Sequence, residues 1–203
     1  MTAIASLLGH GLLLMAVILY IIQARRWGKW FPYAYIIAAV VIVLPLENWL
    51  VVEFSRGYLS DLSMATVAIA VMSIVGQGQY QMSNAFKLTF LLLAIVLYPS
   101  AMGWGMFDVY SLGYPSDTGY GYLVAVVAAI AVLAVIVKSW QLAIVMTMVL
   151  IGNGVGLYET QNLWNYLLDP LVVVACIFSY LSKWVAHAFN ILIKKVRYVQ
   201  ANA

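Results

Sequence analysis

The chain has 203 residues, 66% of them hydrophobic and only 8% charged, with a formal net charge of +3 and a mean hydropathy of +0.99. A soluble domain carries about 25% charged residues, so this composition excludes an ordinary water-soluble globular domain and points to an integral membrane protein. A single cysteine, Cys176, excludes an internal disulfide and a cysteine-rich metal site, and reads as a small core residue.

A membrane span needs about 20 apolar residues, and seven segments approach that length: 3–23, 31–53, 59–76, 86–104, 120–138, 139–158 and 162–183. The expected fold class is all-α, a polytopic helical bundle with about seven transmembrane helices. Residues 1–183 form its single transmembrane domain and 184–203 a basic amphipathic cytoplasmic tail. The first segment has no Lys or Arg before Arg25 and so lacks the charged start of a signal peptide; it is expected to be a retained span. The second carries "VLPLENWLVVE", with Pro45, Glu47, Asn48 and Trp49 inside an otherwise apolar run. The fourth carries Pro99, and the loop after it (Gly103–Tyr122) is rich in Gly, Tyr and Asp with no basic residue. The fifth and sixth are separated only by "VKSWQ" and form a tight hairpin. The sixth ends in "GNGVG", where Gly152, Gly154 and Gly156 are expected to line a close helix contact. The seventh carries Asp169 followed by Pro170. The tail, "KWVAHAFNILIKKVRYVQ", continues that helix or lies along the inner leaflet, its basic residues held by anionic lipid.

Orientation follows from charge. An N-terminus outside and a C-terminus inside leaves only Arg56 of the ten basic residues on the outer face. That is the bias expected of cytoplasmic loops. The acids sort the other way: Glu47, Glu53, Asp61, Asp108, Asp117, Glu159 and Asp169 fall in or near the outer half. Trp27, Trp30, Trp140 and Trp184 mark the inner interface and Trp49, Trp104 and Trp164 the outer one, as expected of indole rings at a membrane boundary.

The polar residues inside the spans are few. Counting inward at about 1.5 Å per residue puts His10, Glu47, Asn153 and Asp169 roughly 8–13 Å below the outer surface. A short carboxylate cannot reach water from there as Lys or Arg can, so the expected arrangement is one outward-facing acidic pocket. Asn48, Trp49, Asn153, Trp164 and Tyr166 would line it. Pro45, Pro99 and Pro170 fall at the same level and would free the carbonyls of Val41, Ile95 and Tyr166 to face it.

Three function classes fit. The first is a non-catalytic subunit or partner in a larger membrane assembly, with membrane lipids and other subunits as its partners. The second is a membrane-embedded acid–base enzyme acting on an isoprenoid or lipid-linked substrate. Glu47 and Asp169 would then be split into acid and base by their surroundings, with His10 as proton partner. With one acid in the second span and one in the seventh, the plan is broadly similar to that of integral-membrane terpene cyclases, which is what implies a cyclase-like reaction. The third is cation binding or transport, with Glu47, Asp169 and His10 as the candidate metal ligands. The pattern identifies no cofactor. No HExxH, GxSxG, P-loop or CxxC occurs, and no lysine stands mid-way along the seventh span to carry a retinal Schiff base. The two histidines, His10 and His187, fall on opposite sides of the membrane, which excludes a multi-histidine iron or copper site built from this chain alone. Nothing in the pattern suits nucleic acid.

Overall fold

The computed structural model describes residues 2–46, 48–59, 61–78, 81–104 and 106–201, without the side chains of 186–188 and 190–201. The first helix, α1 (Thr2–Ile21), carries no charged residue and has no sharply separated polar face, the pattern of a helix that is buried or able to cross a membrane. A 3-10 turn over Ala24–Trp30 leads into α2 (Phe31–Ile42), with Pro32 in its first turn, where a missing N–H is no loss. Ala34 and Ala38, four apart on α2, are fully buried and pack with Leu19 and Ala24. Small residues at that spacing let two helices approach closely where lipid supplies no hydrophobic drive.

The second expected span departs from its sequence reading. The helix stops at Ile42, and the chain makes an antiparallel hairpin in which Pro45 pairs with Leu50 and Leu46 with Trp49. A nine-residue helix, α3 (Val51–Leu59), follows. Proline disfavours helical backbone in the residue before it and cannot donate to a helix ladder, so Pro45 ends the helix rather than kinking it. The Val41 carbonyl is taken by the Leu44 N–H at 3.3 Å and is not free. At the start of α3 the Glu53 carboxylate accepts the Leu50 N–H at 2.8 Å.

The remaining helices are α4 (Met64–Val75), α5 (Asn84–Ala101), α6 (Tyr120–Ile136), α7 (Trp140–Gly154), the one-turn α8 (Leu163–Leu167) and α9 (Pro170–Ala201). Three stretches, Thr2–Ile21, Asn84–Ala101 and Leu163–Val185, are long and apolar enough to cross a membrane; Met64–Val75, Tyr120–Ile136 and Trp140–Gly154 are apolar but shorter. The seventh expected span is split, because Leu168 and Asp169 break the helix between α8 and α9. From Pro170 the helix runs on through the tail for 32 residues, about 48 Å. Pro99 alone of the three prolines stays inside a helix, α5.

The main core joins α4 to α9 around Phe86, Phe90, Val127, Met146, Val149 and Tyr166. Hydrogen bonds tie it at both ends. At one end the Gln141 side chain accepts the Ser83 N–H at 2.8 Å and donates to the Gln81 carbonyl at 3.1 Å. This joins the start of α5 to the start of α7. At the other end the Trp164 indole donates to the Val109 carbonyl at 2.9 Å, and the buried Asn162 amide donates to the Tyr110 carbonyl at 3.0 Å. The loop after α5 is thereby pinned to α8.

Of the three glycines at the end of α7, only Gly152 sits at a close contact, with Met64 and Tyr166 side-chain atoms 3.5 Å from where a Cβ would stand; a Cβ on Gly154 would meet open space. Gly156, at φ 63°, is the left-handed residue of a Schellman cap. Its N–H donates to the Asn153 carbonyl, and Leu157 N–H donates to that of Gly152.

Candidate functional site

Asp169 has company, and that company is backbone. Its side chain accepts the Val172 N–H at 2.9 Å, the bond a helix N-cap makes three residues on. Asp169 is therefore the cap of α9, and Pro170 is the first helical residue, where proline is favoured. The "DP" pair starts a helix here; it does not kink one.

The same carboxylate serves a second helix. It accepts the Ser63 N–H at 2.8 Å through Oδ2 and the Thr66 hydroxyl at 2.7 Å through Oδ1. Ser63 is the cap of α4, its hydroxyl accepting the Thr66 N–H at 3.2 Å. In an ordinary capping box, a Glu or Gln three residues into the helix reaches back to the cap residue's own N–H. Here that position holds Thr66, and the acid arrives from 106 residues away. Two helix N-termini, each with the partial positive charge of its unsatisfied N–H groups, converge on one anion. Three donors with good geometry explain how a half-buried carboxylate is tolerated in so apolar a chain.

The other expected site residues have different neighbours. His10 is fully buried in α1, with Nδ1 3.3 Å from the Ser55 hydroxyl of α3. Asn153 accepts the Tyr120 hydroxyl and donates to the Gln161 carbonyl at 3.4 Å. Tyr166 is fully buried and stacked on Tyr158, ring centroids 5.0 Å apart. Its hydroxyl accepts the Tyr158 N–H at 2.9 Å and donates to the Thr160 carbonyl at 3.2 Å. Burial pushes the Tyr158 phenol far above its usual range, with the nearby Asp61 adding to the shift. Trp164 is buried and spent on the Val109 carbonyl. Asn48 and Trp49 lie in the hairpin and are exposed. Glu47 lies outside the described residues, and its pairing with Asp169 and His10 with it. Among the described residues no group of three or more His, Cys, Asp and Glu side chains is placed to hold a metal ion.

Two features escaped the sequence reading. The first is the pair Ser63 and Thr66, although "LSMAT" carries a helix-start signal in its serine. The second is Lys87, assigned by its charge to the cytoplasmic face. It is fully buried on α5, and its Nζ finds no hydrogen-bond acceptor among the described residues. The ammonium lies over the Tyr180 ring of α9, 4.2 Å from the centroid, with Lys183 as its charged neighbour. Nothing in the local sequence of α5 distinguishes this lysine from a solvated one.

The fold and the site together define a helical protein with three helices able to cross a membrane and a carboxylate that caps two of its helices. Comparison with known protein families, characterised proteins and solved structures gives no match.

Proposed function

We propose that the protein is a non-catalytic subunit or partner of a larger membrane assembly, set in the cell membrane with its N-terminus outside and its tail in the cytoplasm. The observation that carries this reading is the loop between α5 and α6. It exposes Trp104 by 80%, Phe107 by 75% and Met106 fully, on a stretch that falls outside all the candidate spans. The loop is held in shape. The Ser100 hydroxyl donates to the Phe107 carbonyl and accepts the Val109 N–H, both at 2.7 Å. A shaped apolar knob flanked by acidic residues such as Asp108 is what a protein partner buries. The acid–base reading is less well supported. Asp169 would have to exchange its helix-capping bonds to move a proton, and that exchange would cost both helices their caps.

The test is purification in native lipid with quantitative mass spectrometry. A partner at fixed stoichiometry is expected, and Met106→Ser with Phe107→Ser should lower its ratio at least tenfold without changing the yield of this chain. A partner-free protein, or a ratio indifferent to the two substitutions, would sink the proposal.

A further inference from the structure

A laterally open groove of about 690 Å³ runs between α1, α4 and α9, within the usual range of ligand sites, about 300–1,000 Å³. One stripe from each helix builds it: Leu13, Val17 and Tyr20 on α1 repeat at helical spacing, and α4 and α9 contribute stripes in the same register, ending at Ser73 and Phe178. Its walls are almost wholly apolar along this length. Its outer rim stays uncovered, with Tyr20 exposed by 69% and Phe178 by 68%. The upper end closes at Thr66, beside the Asp169 cap.

The other end differs in chemistry. There the groove reaches Arg25 and Gly78, which also line a second cavity of about 260 Å³ with Arg26, Gln23 and Gln77. Gly78 packs directly on the end of α1 at this junction, since at φ 80° a Cβ on it would stand 2.8 Å from the Leu19 backbone. An apolar slot that opens into a basic, amide-lined recess is complementary to an amphiphile with one long hydrocarbon chain per slot and an anionic head. We propose that this groove binds an anionic glycerophospholipid, one acyl chain lying between α1, α4 and α9 and the phosphate set against Arg25 and Arg26. The site is independent of whether a partner subunit covers the loop after α5.

The experiment uses the full chain in a neutral detergent, titrated with dioleoylphosphatidylglycerol or dioleoylphosphatidylcholine. Thermal unfolding and native mass spectrometry are the readouts. A ligand at about a hundred times its Kd should raise the midpoint of a chain this size by roughly 5 °C or more. That shift is expected with phosphatidylglycerol and not with phosphatidylcholine. Arg25→Gln with Arg26→Gln should abolish the difference between the two lipids, and Ala175→Phe, which fills the slot, should remove the bound adduct. Lys194→Gln with Lys195→Gln should leave both readouts unchanged. Equal shifts with the two lipids, loss of the shift through the tail lysines instead, retention of the adduct in Ala175→Phe, or a polypeptide found in the groove would each overturn the proposal. The arginine variants are read as a difference between two lipids on one variant, so a general loss of stability does not mimic that result, and adduct loss in Ala175→Phe counts only with its lipid-free unfolding midpoint unchanged.

Discussion

Asp169, half-buried, and Lys87, fully buried, are charges in opposite surroundings, and α9 touches both: it begins just after Asp169, and its Tyr180 covers Lys87. At the first, every bond is in place. Two backbone N–H groups and a hydroxyl point at the carboxylate, and two helix dipoles reinforce them. At the second, an ammonium with three donors has an aromatic face and a like charge for company. A cation over a phenol ring is worth about 0.5–2 kcal/mol, less than a full set of hydrogen bonds to a charged group. The difference teaches that burial alone does not rank a charged residue. One of these charges organises structure, and the other is tolerated by it.

The largest expected effect breaks the better-satisfied end. Asp169→Leu removes the cap of α9, about 1 kcal/mol, and strands the Ser63 N–H and Thr66 hydroxyl at about 1–3 kcal/mol for an unsatisfied buried group. Reversible unfolding in mixed micelles should show a loss of roughly 2–4 kcal/mol. A loss below about 0.5 kcal/mol would mean that the carboxylate is not the tie between α4 and α9.

A double-mutant cycle sharpens the same end. Asp169→Asn and Thr66→Val should each cost about 1–2 kcal/mol, since the amide keeps one acceptor while Val removes one donor. Together they should cost less than their sum by about 0.5 kcal/mol or more, because they share a bond. Strict additivity would place the two side chains in separate networks.

Lys87→Met should have the smallest effect, between neutral and about 1 kcal/mol stabilising. It exchanges an ammonium that meets no acceptor among the described residues for an apolar chain of similar length. Destabilisation of more than about 2 kcal/mol would reverse the contrast and assign Lys87 a partner of its own.

Much of the layout was legible in the sequence. The apolar runs mark where α1, α5, α6, α7 and α9 fall, and the short "VKSWQ" link marks the turn between α6 and α7. The exceptions lie at prolines. Pro45 and Pro170 both read as kinks within spans, yet one ends α2 and the other begins α9. A proline inside an apolar run is compatible with kink, stop or start, and only the residue before it separates them. Aspartate, a preferred cap, stands before Pro170; leucine, which caps nothing, stands before Pro45. Counting along the sequence assigns His10, Asn153 and Asp169 one depth, but a depth does not fix azimuth around a bundle. Each found its partners on a different neighbouring element: α3 for His10, α6 for Asn153, α4 for Asp169. The partnership of Asp169 with Ser63 could not be read from either local sequence, because it spans 106 residues.

That separation bears on how the protein is made. A chain emerges N-terminus first, so α4 exists well before the carboxylate that completes its start. Until residue 169 arrives, the Ser63 N–H has no acid to meet, and the first turn of α4 is held by its own hydroxyl alone. A later apolar helix therefore brings the clasp for an earlier one, and a single ring closes over everything synthesised between them. Premature termination anywhere short of that aspartate leaves the early helix without its clasp.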